Sequence, residues 1–163
     1  MQNKDTTLLF ISVWIIPWYG EFMAILMSIK PKYSRLIFAG IKKYELRKTP
    51  IKAQGNEVVI VYESNPTKAV VGSFQVQEIV KKSPEEIWAL LQSEIGVSET
   101  EFFQYFSQKR TGYALKIENP QLFKRKTSLQ ELRALYGRWN PPQNFQYVKE
   151  SQEAELLSKI LGL

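Results

Sequence analysis

Residues 24–29 (AILMSI) form a short, almost unbroken apolar run, which predicts a strand buried on both faces. Lys30-Pro31 ends it, and Pro31 suits a first helical turn better than a central ladder. Tyr33, Leu36, Ile37 and Phe38 then recur at helical spacing, and Gly40 stands where a helix C-cap belongs. Residues 43–47 alternate again and predict a second strand, and residues 57–62 (EVVIVY) a third, buried one. Ser64-Asn65-Pro66 is turn chemistry, and residues 68–80 predict a long strand with Gly72 as a bulge or bend. Ser83-Pro84-Glu85-Glu86 combines an N-cap, a proline at N1 and first-turn acids; Ile87, Trp88, Leu90 and Leu91 give that helix its apolar face, and Gly96 closes it. Ser98 to Glu101 reads as a capping box opening another helix, with Phe102, Phe103 and Phe106 as its stripe. A strand at 113–117, a short helix capped by Ser128 and Glu131, a last strand at 145–148 and an amphipathic helix at 151–161 complete the series. The order is not the strict alternation of a doubly wound sheet. Short strands with helical excursions predict an α+β protein on a small mixed β-barrel with flanking helices.

Residues 8–19 (LLFISVWIIPWY) are apolar but too short for a spanning helix, which needs about 20 residues, and Pro17 and Gly20 interrupt them. Lys4 is offset by Asp5 and no A-x-A cleavage site follows, so a secretory signal is not expected. The readings left are an added packing segment, a membrane anchor, or an upstream extension with translation starting at Met23. The expected organisation is an apolar extension at 1–22, one domain at 23–148 and a C-terminal helix at 149–163, without stable membrane association.

Composition narrows the chemistry. The 163 residues suit one domain and contain neither cysteine nor histidine. Disulfides, Cys-zinc centres, thiol nucleophiles, Ser-His-Asp triads and His-based proton transfer are therefore excluded. A carboxylate-only magnesium site stays chemically allowed, but no metal ligand set and no cofactor motif stands out. The absence of cysteine fits a reducing compartment, hence a cytoplasmic location. The net charge is +6, and it is zoned. Residues 30–48 hold seven Lys or Arg against Glu45, and residues 109–126 six against Glu118, whereas residues 78–101 hold six acids against two lysines. One face meeting phosphate and another meeting water would give this pattern.

The densest chemistry lies in Gly40-Ile41-Lys42-Lys43-Tyr44-Glu45-Leu46-Arg47. Glu45 and Arg47 are two apart on a strand, so they share a face. Arg47 supplies a rigid fork for phosphate, which Glu45 can orient. Lys42 reaches the same cleft only from the turn after Gly40. The competing reading is a solvated edge strand with an Arg–Glu pair worth about 0–1 kcal/mol. Other candidates carry plain readings beside the functional ones. Lys30 is a strand-end lysine or a phosphate contact. Tyr62 and Ser64 end a strand, and Tyr62 stacks on a base or fills a core edge. Gln143-Asn144-Phe145 reads and stacks on a base or merely closes the barrel. Lys124-Arg125-Lys126 meets a phosphate backbone or is solvated. Trp88 and the three phenylalanines are helix core before they are a stacking platform.

The stretch SIKPKYSRLIFAGIKKYELRK, followed by VVIVYESNPTKAVVGSF, SPEEIW, SETEFFQYF, GYALKIENP and PPQNFQY, resembles the ASCH family from about Met23 to Tyr147. Within the family the arrangement is most similar to proteins labelled predicted transcriptional regulators. The resemblance implies a PUA-like barrel with a cleft beside the first helix. It implies RNA as partner, DNA as a second choice, and a role in regulating transcription or translation. It also implies an alternative, since some members are hydrolases of acetylcytidine or of RNA. In the amidohydrolase type a Lys, a Thr three residues later and a later Glu belong to the motif. Lys42 matches the first, Glu45 stands in place of the Thr, and Glu94 is the candidate for the third. For such an enzyme the reading makes Lys42 a base whose pKa is depressed by crowding from Lys43 and Arg47.

Overall fold

The computed structural model describes residues 24–148 apart from 54 and 56. The expected N-terminal extension and C-terminal helix lie outside the described residues. The elements run β1 (Ala24–Ile29), α1 (Pro31–Phe38), β2 (Tyr44–Arg47), β3 (Val58–Glu63), β4 (Ala69–Lys82), α2 (Pro84–Leu91), α3 (Glu99–Tyr105), β5 (Gly112–Ser128), α4 (Leu129–Tyr136) and β6 (Phe145–Val148). The six strands form one sheet in the order β2-β5-β4-β3-β1-β6. The β1–β3 pair is parallel and the other neighbours are antiparallel. The mixed sheet curls into a half-barrel with four flanking helices, the α+β architecture expected from the sequence.

Burial explains the sequence pattern. Ile25, Met27 and Ile29 of β1 face the concave side and join Val59, Val61, Val71, Phe74 and Leu115, with Ile37 of α1 plugging the barrel. Ala24 and Leu26 face outward and pack with Ile60, Tyr62, Val70 and Leu132 of α4. Both faces of β1 are covered, hence its unbroken apolar run. A third cluster places Tyr44 and Leu46 of β2 against Ile87, Leu91, Ile95, Phe102 and Phe106. Trp88 and the phenylalanines at 102, 103 and 106 are packed ring to ring there, as helix core.

Three local expectations are corrected. The strand expected at 113–117 continues to Ser128. Pro120 does not stop it, because the β4–β5 register skips between Ser73↔Gln121 and Gln75↔Glu118, where Asn119 takes φ +49°. A bulge asks for no ladder N–H at that point, so proline fits. Helix α2 ends at Leu91, and Gly96 (φ +63°) instead turns the connection into α3. Ser98 caps α3 by accepting from Glu101 N–H, but the Glu101 carboxylate is spent elsewhere, as described below. Among the described residues no helix is long and apolar enough to cross a membrane.

Candidate functional site

The edges of the half-barrel, β2 on one side and β1–β6 on the other, are bridged by side chains rather than by a ladder. Arg47 Nη1 donates to Asn144 Oδ1 at 2.5 Å, and Nη2 to Ser28 O at 3.3 Å and to Glu45 Oε1 at 2.8 Å. Asn144 Nδ2 in turn donates to Thr49 Oγ1 at 2.8 Å, and Ser28 Oγ to Pro142 O at 2.6 Å. Between the edges lies a cleft of about 490 Å³. Alternation sends Tyr44 and Leu46 to the helices and turns Glu45 and Arg47 the other way, to the cleft.

Lys42 sits in the turn between α1 and β2 and is only 2% exposed. Its Nζ donates to Ile95 O at 2.8 Å and stands 3.6 Å from Glu45 Oε2. The segment after α2 grips it further: Lys43 N–H donates to Glu94 O at 2.7 Å, and Gly96 packs on the Lys42 stem, where a Cβ would come within 3.2 Å. Burial pulls the Lys42 ammonium below the ordinary lysine value, with Glu45 opposing. Crowding by Lys43 is not the cause, since Lys43 points outward to Glu94 at 3.8 Å; Arg47 adds only a smaller push.

On the α1 side, Tyr33 Oη donates to Glu101 Oε1 at 2.5 Å and Lys32 Nζ bonds the same oxygen. Glu101 thereby ties α3 to α1 across the cleft wall, and the two donors hold its carboxyl below the usual carboxylate range. Burial, then the hydrogen bond to Glu101, raises the Tyr33 phenol. Tyr105 is raised mainly by burial; its Oη donates to Leu46 O at 3.3 Å, and Lys48 Nζ lies 4.5 Å above its ring. The Nε–H of the buried Arg47 has no partner among the described residues.

Of the residues singled out from sequence, Lys30, Lys42, Glu45, Arg47, Ser64 and Gln143 line this cleft. Tyr62 lies on the outer face, buried, its ring 5.7 Å from that of Trp139. Phe145 is half-buried against the barrel core beside Tyr147. Glu94 pairs with Lys43 at the surface, and the acid from the later helical region that lines the cleft is Glu101. Lys124, Arg125 and Lys126 lie on the distal half of β5, outside the cleft lining. Asn144, named with Gln143 and Phe145, also lines the cleft, whereas sequence reasoning missed Tyr33, Lys48, Glu101, Tyr105 and Lys109. Tyr33 and Glu101 were each absorbed by a local pattern, a helix stripe and a capping box, and no sequence signal showed that the two meet.

A model of the ASCH domain family matches residues 27–123. A protein named ASCH domain-containing ribonuclease, from Zymomonas mobilis, is 26% identical over 135 residues, covering 81% of this chain and 88% of its own. The crystal structure of ASCH from Zymomonas mobilis superposes with a TM-score of 0.77 at 23% identity, over 84% of this chain and 95% of that one. Human THYN1 protein, solved in complex with DNA containing 5-methylcytosine, shares the fold at a TM-score of 0.52 and 12% identity, over 84% of this chain and 96% of that one.

Proposed function

Because the chain belongs to the ASCH domain family, we propose that its cleft binds nucleic acid, RNA first, by admitting one unstacked nucleotide with its phosphate on Arg47. The observation that carries this is the state of Arg47: a guanidinium held by Glu45, Asn144 and Ser28 O, with its Nε–H left over. A fork fixed before the ligand arrives loses little entropy on binding an anion. Lys30, Lys48 and Lys109 around it add long-range attraction. The cleft volume suits one nucleotide and not a duplex. The ribonuclease name of the Zymomonas relative and the DNA in the THYN1 complex support the same class of partner. Regulation of transcription has no support among these relatives. The absence of cysteine fits a reducing compartment, and a cytoplasmic site of action is part of the proposal. Binding of labelled RNA and DNA oligomers across salt tests it, with a slope of about −0.7 per phosphate contact for single strands. Arg47→Lys should weaken binding by about tenfold or more, since the fork is lost while the charge remains. No binding at low salt by the wild-type protein would overturn the proposal.

A second reading, hydrolysis of RNA or of a modified nucleoside such as acetylcytidine, rests on Lys42. Burial makes the Lys42 ammonium give up its proton more readily than a free lysine, and Glu45 at 3.6 Å can share that proton. For RNA, Lys42 would take the 2′-hydroxyl proton as that oxygen attacks the adjacent phosphorus; the bond to the 5′-oxygen breaks and that oxygen takes a proton from water, leaving a 2′,3′-cyclic phosphate and a 5′-hydroxyl. Incubation with labelled RNA and with acetylcytidine, against Lys42→Met, tests this; equal turnover in the variant removes Lys42 from the mechanism.

A further inference from the structure

The basic run at 124–126 does not act as a block, because Arg125 alone of the three has a carboxylate partner among the described residues. Phe123 and Thr127 of β5 turn to the outer face, where Phe123 packs beside Leu132 of α4 and Thr127 is buried. Arg125 follows them and is bonded to Glu131 of α4. Residues 123–126 bulge out of the β4–β5 ladder, whose pairing passes from Gly72↔Leu122 to Val70↔Thr127, and Lys124 and Lys126 stand exposed in that bulge. Both lysines are exposed and make no ion pair among the described residues, and Leu122 is 60% exposed beside them.

Backbone hydrogen bonds connect the segment that follows this bulge to the rim of the cleft. Ser64 N–H donates to Ile29 O next to Lys30, Lys68 N–H donates to Ser64 O, and Leu129 N–H donates to Lys68 O at the end of β5. Lys30 and Ser64 line the cleft. Lys30, Lys68, Lys124 and Lys126 are all exposed, and none makes a close ion pair among the described residues, although the Lys30 charge reaches Glu101. The nearby acid Glu63 is buried and accepts from Ser34 Oγ at 2.6 Å, so it leaves the ledge positive.

We propose that this ledge, Lys30–Lys68–Lys126–Lys124, is a second binding surface that carries the single strand of RNA away from the cleft. It rests on the reading that the cleft takes a nucleotide, and it sets the length of RNA the protein prefers. Arg125 has no part in it despite its place in the run. The test compares a four-nucleotide with a twelve-nucleotide RNA across salt, lengths within the range of about 4–16 bound by single-strand modules. Lys124→Ala/Lys126→Ala should leave binding of the short RNA unchanged and weaken the long one. Its salt slope for the long RNA should fall by about 1.4, from about 0.7 per phosphate contact. Arg125→Ala, which removes the same kind of charge from the same run, should leave both unchanged. Wild-type affinity of the double lysine variant for the long RNA, or an equal loss in Arg125→Ala, overturns the ledge while leaving the cleft reading intact. Absence of wild-type binding to either RNA overturns the cleft reading and the ledge with it.

Discussion

Residues 42–47 and residues 124–126 look alike in sequence, each a dense cluster of cations on or beside a strand, yet the fold treats them oppositely. In the first, Lys42 and Arg47 are drawn into the interior and share one carboxylate, Glu45. In the second, all three cations stay exposed, and the acid that one of them meets, Glu131, is itself at the surface edge. The difference is desolvation. A buried charge must be answered by fixed partners, whereas an exposed one is answered by water. The first cluster is therefore rigid, specific and costly to alter, and the second is tolerant and acts by its field.

Substitutions should separate the two clusters by size of effect. Arg47→Ala removes the group that spans the half-barrel's edges and leaves Glu45 with Lys42 alone. It should lower stability by about 3–5 kcal/mol, the usual cost of breaking a buried pair. Urea unfolding measures this, and a loss under 1 kcal/mol would mean the edges do not depend on Arg47. Lys42→Met should cost about 1 kcal/mol or less at neutral pH, because Glu45 keeps Arg47 and the Lys42 charge was itself poorly solvated. Its signature is the pH dependence. The folded chain holds fewer protons at Lys42 than the unfolded chain between the lowered value and 10.5. The wild-type protein should therefore gain stability relative to Lys42→Met as pH rises through that window. A difference flat in pH would mean Lys42 titrates normally.

Glu101→Gln should weaken the tie between α1 and α3 by less than about 1 kcal/mol, since the pair with Lys32 is largely solvated. Because the folded carboxyl is held low, that contribution is present above the ordinary carboxylate range and fades as pH falls through the folded value. Thermal melts at neutral and acid pH check it, and an unchanged gap at acid pH would sink the assignment. Lys43→Ala, which removes an exposed partner of Glu94, should stay within about 0.5 kcal/mol. A larger loss would erase the contrast between buried and exposed cations next to each other in sequence.

The amino-acid sequence determined what depends on period and on short-range chemistry. The buried runs of β1 and β3, the caps at Ser83 and Ser128, the bulge at Gly72 and the shared face of Glu45 and Arg47 are all local, and they stand as expected. The tertiary structure alone decided the partners. Asn144 lies 97 residues from Arg47, and Glu101 lies 68 from Tyr33. Glu101 had a complete local explanation as the third residue after Ser98, and so gave no hint of α1. The path of β5 through Pro120 and the parting of Arg125 from its lysine neighbours also follow from a sheet already assembled. Periodicity shows which side of an element a residue occupies. What waits on that side is set by the curl of the sheet, which is a property of all six strands together.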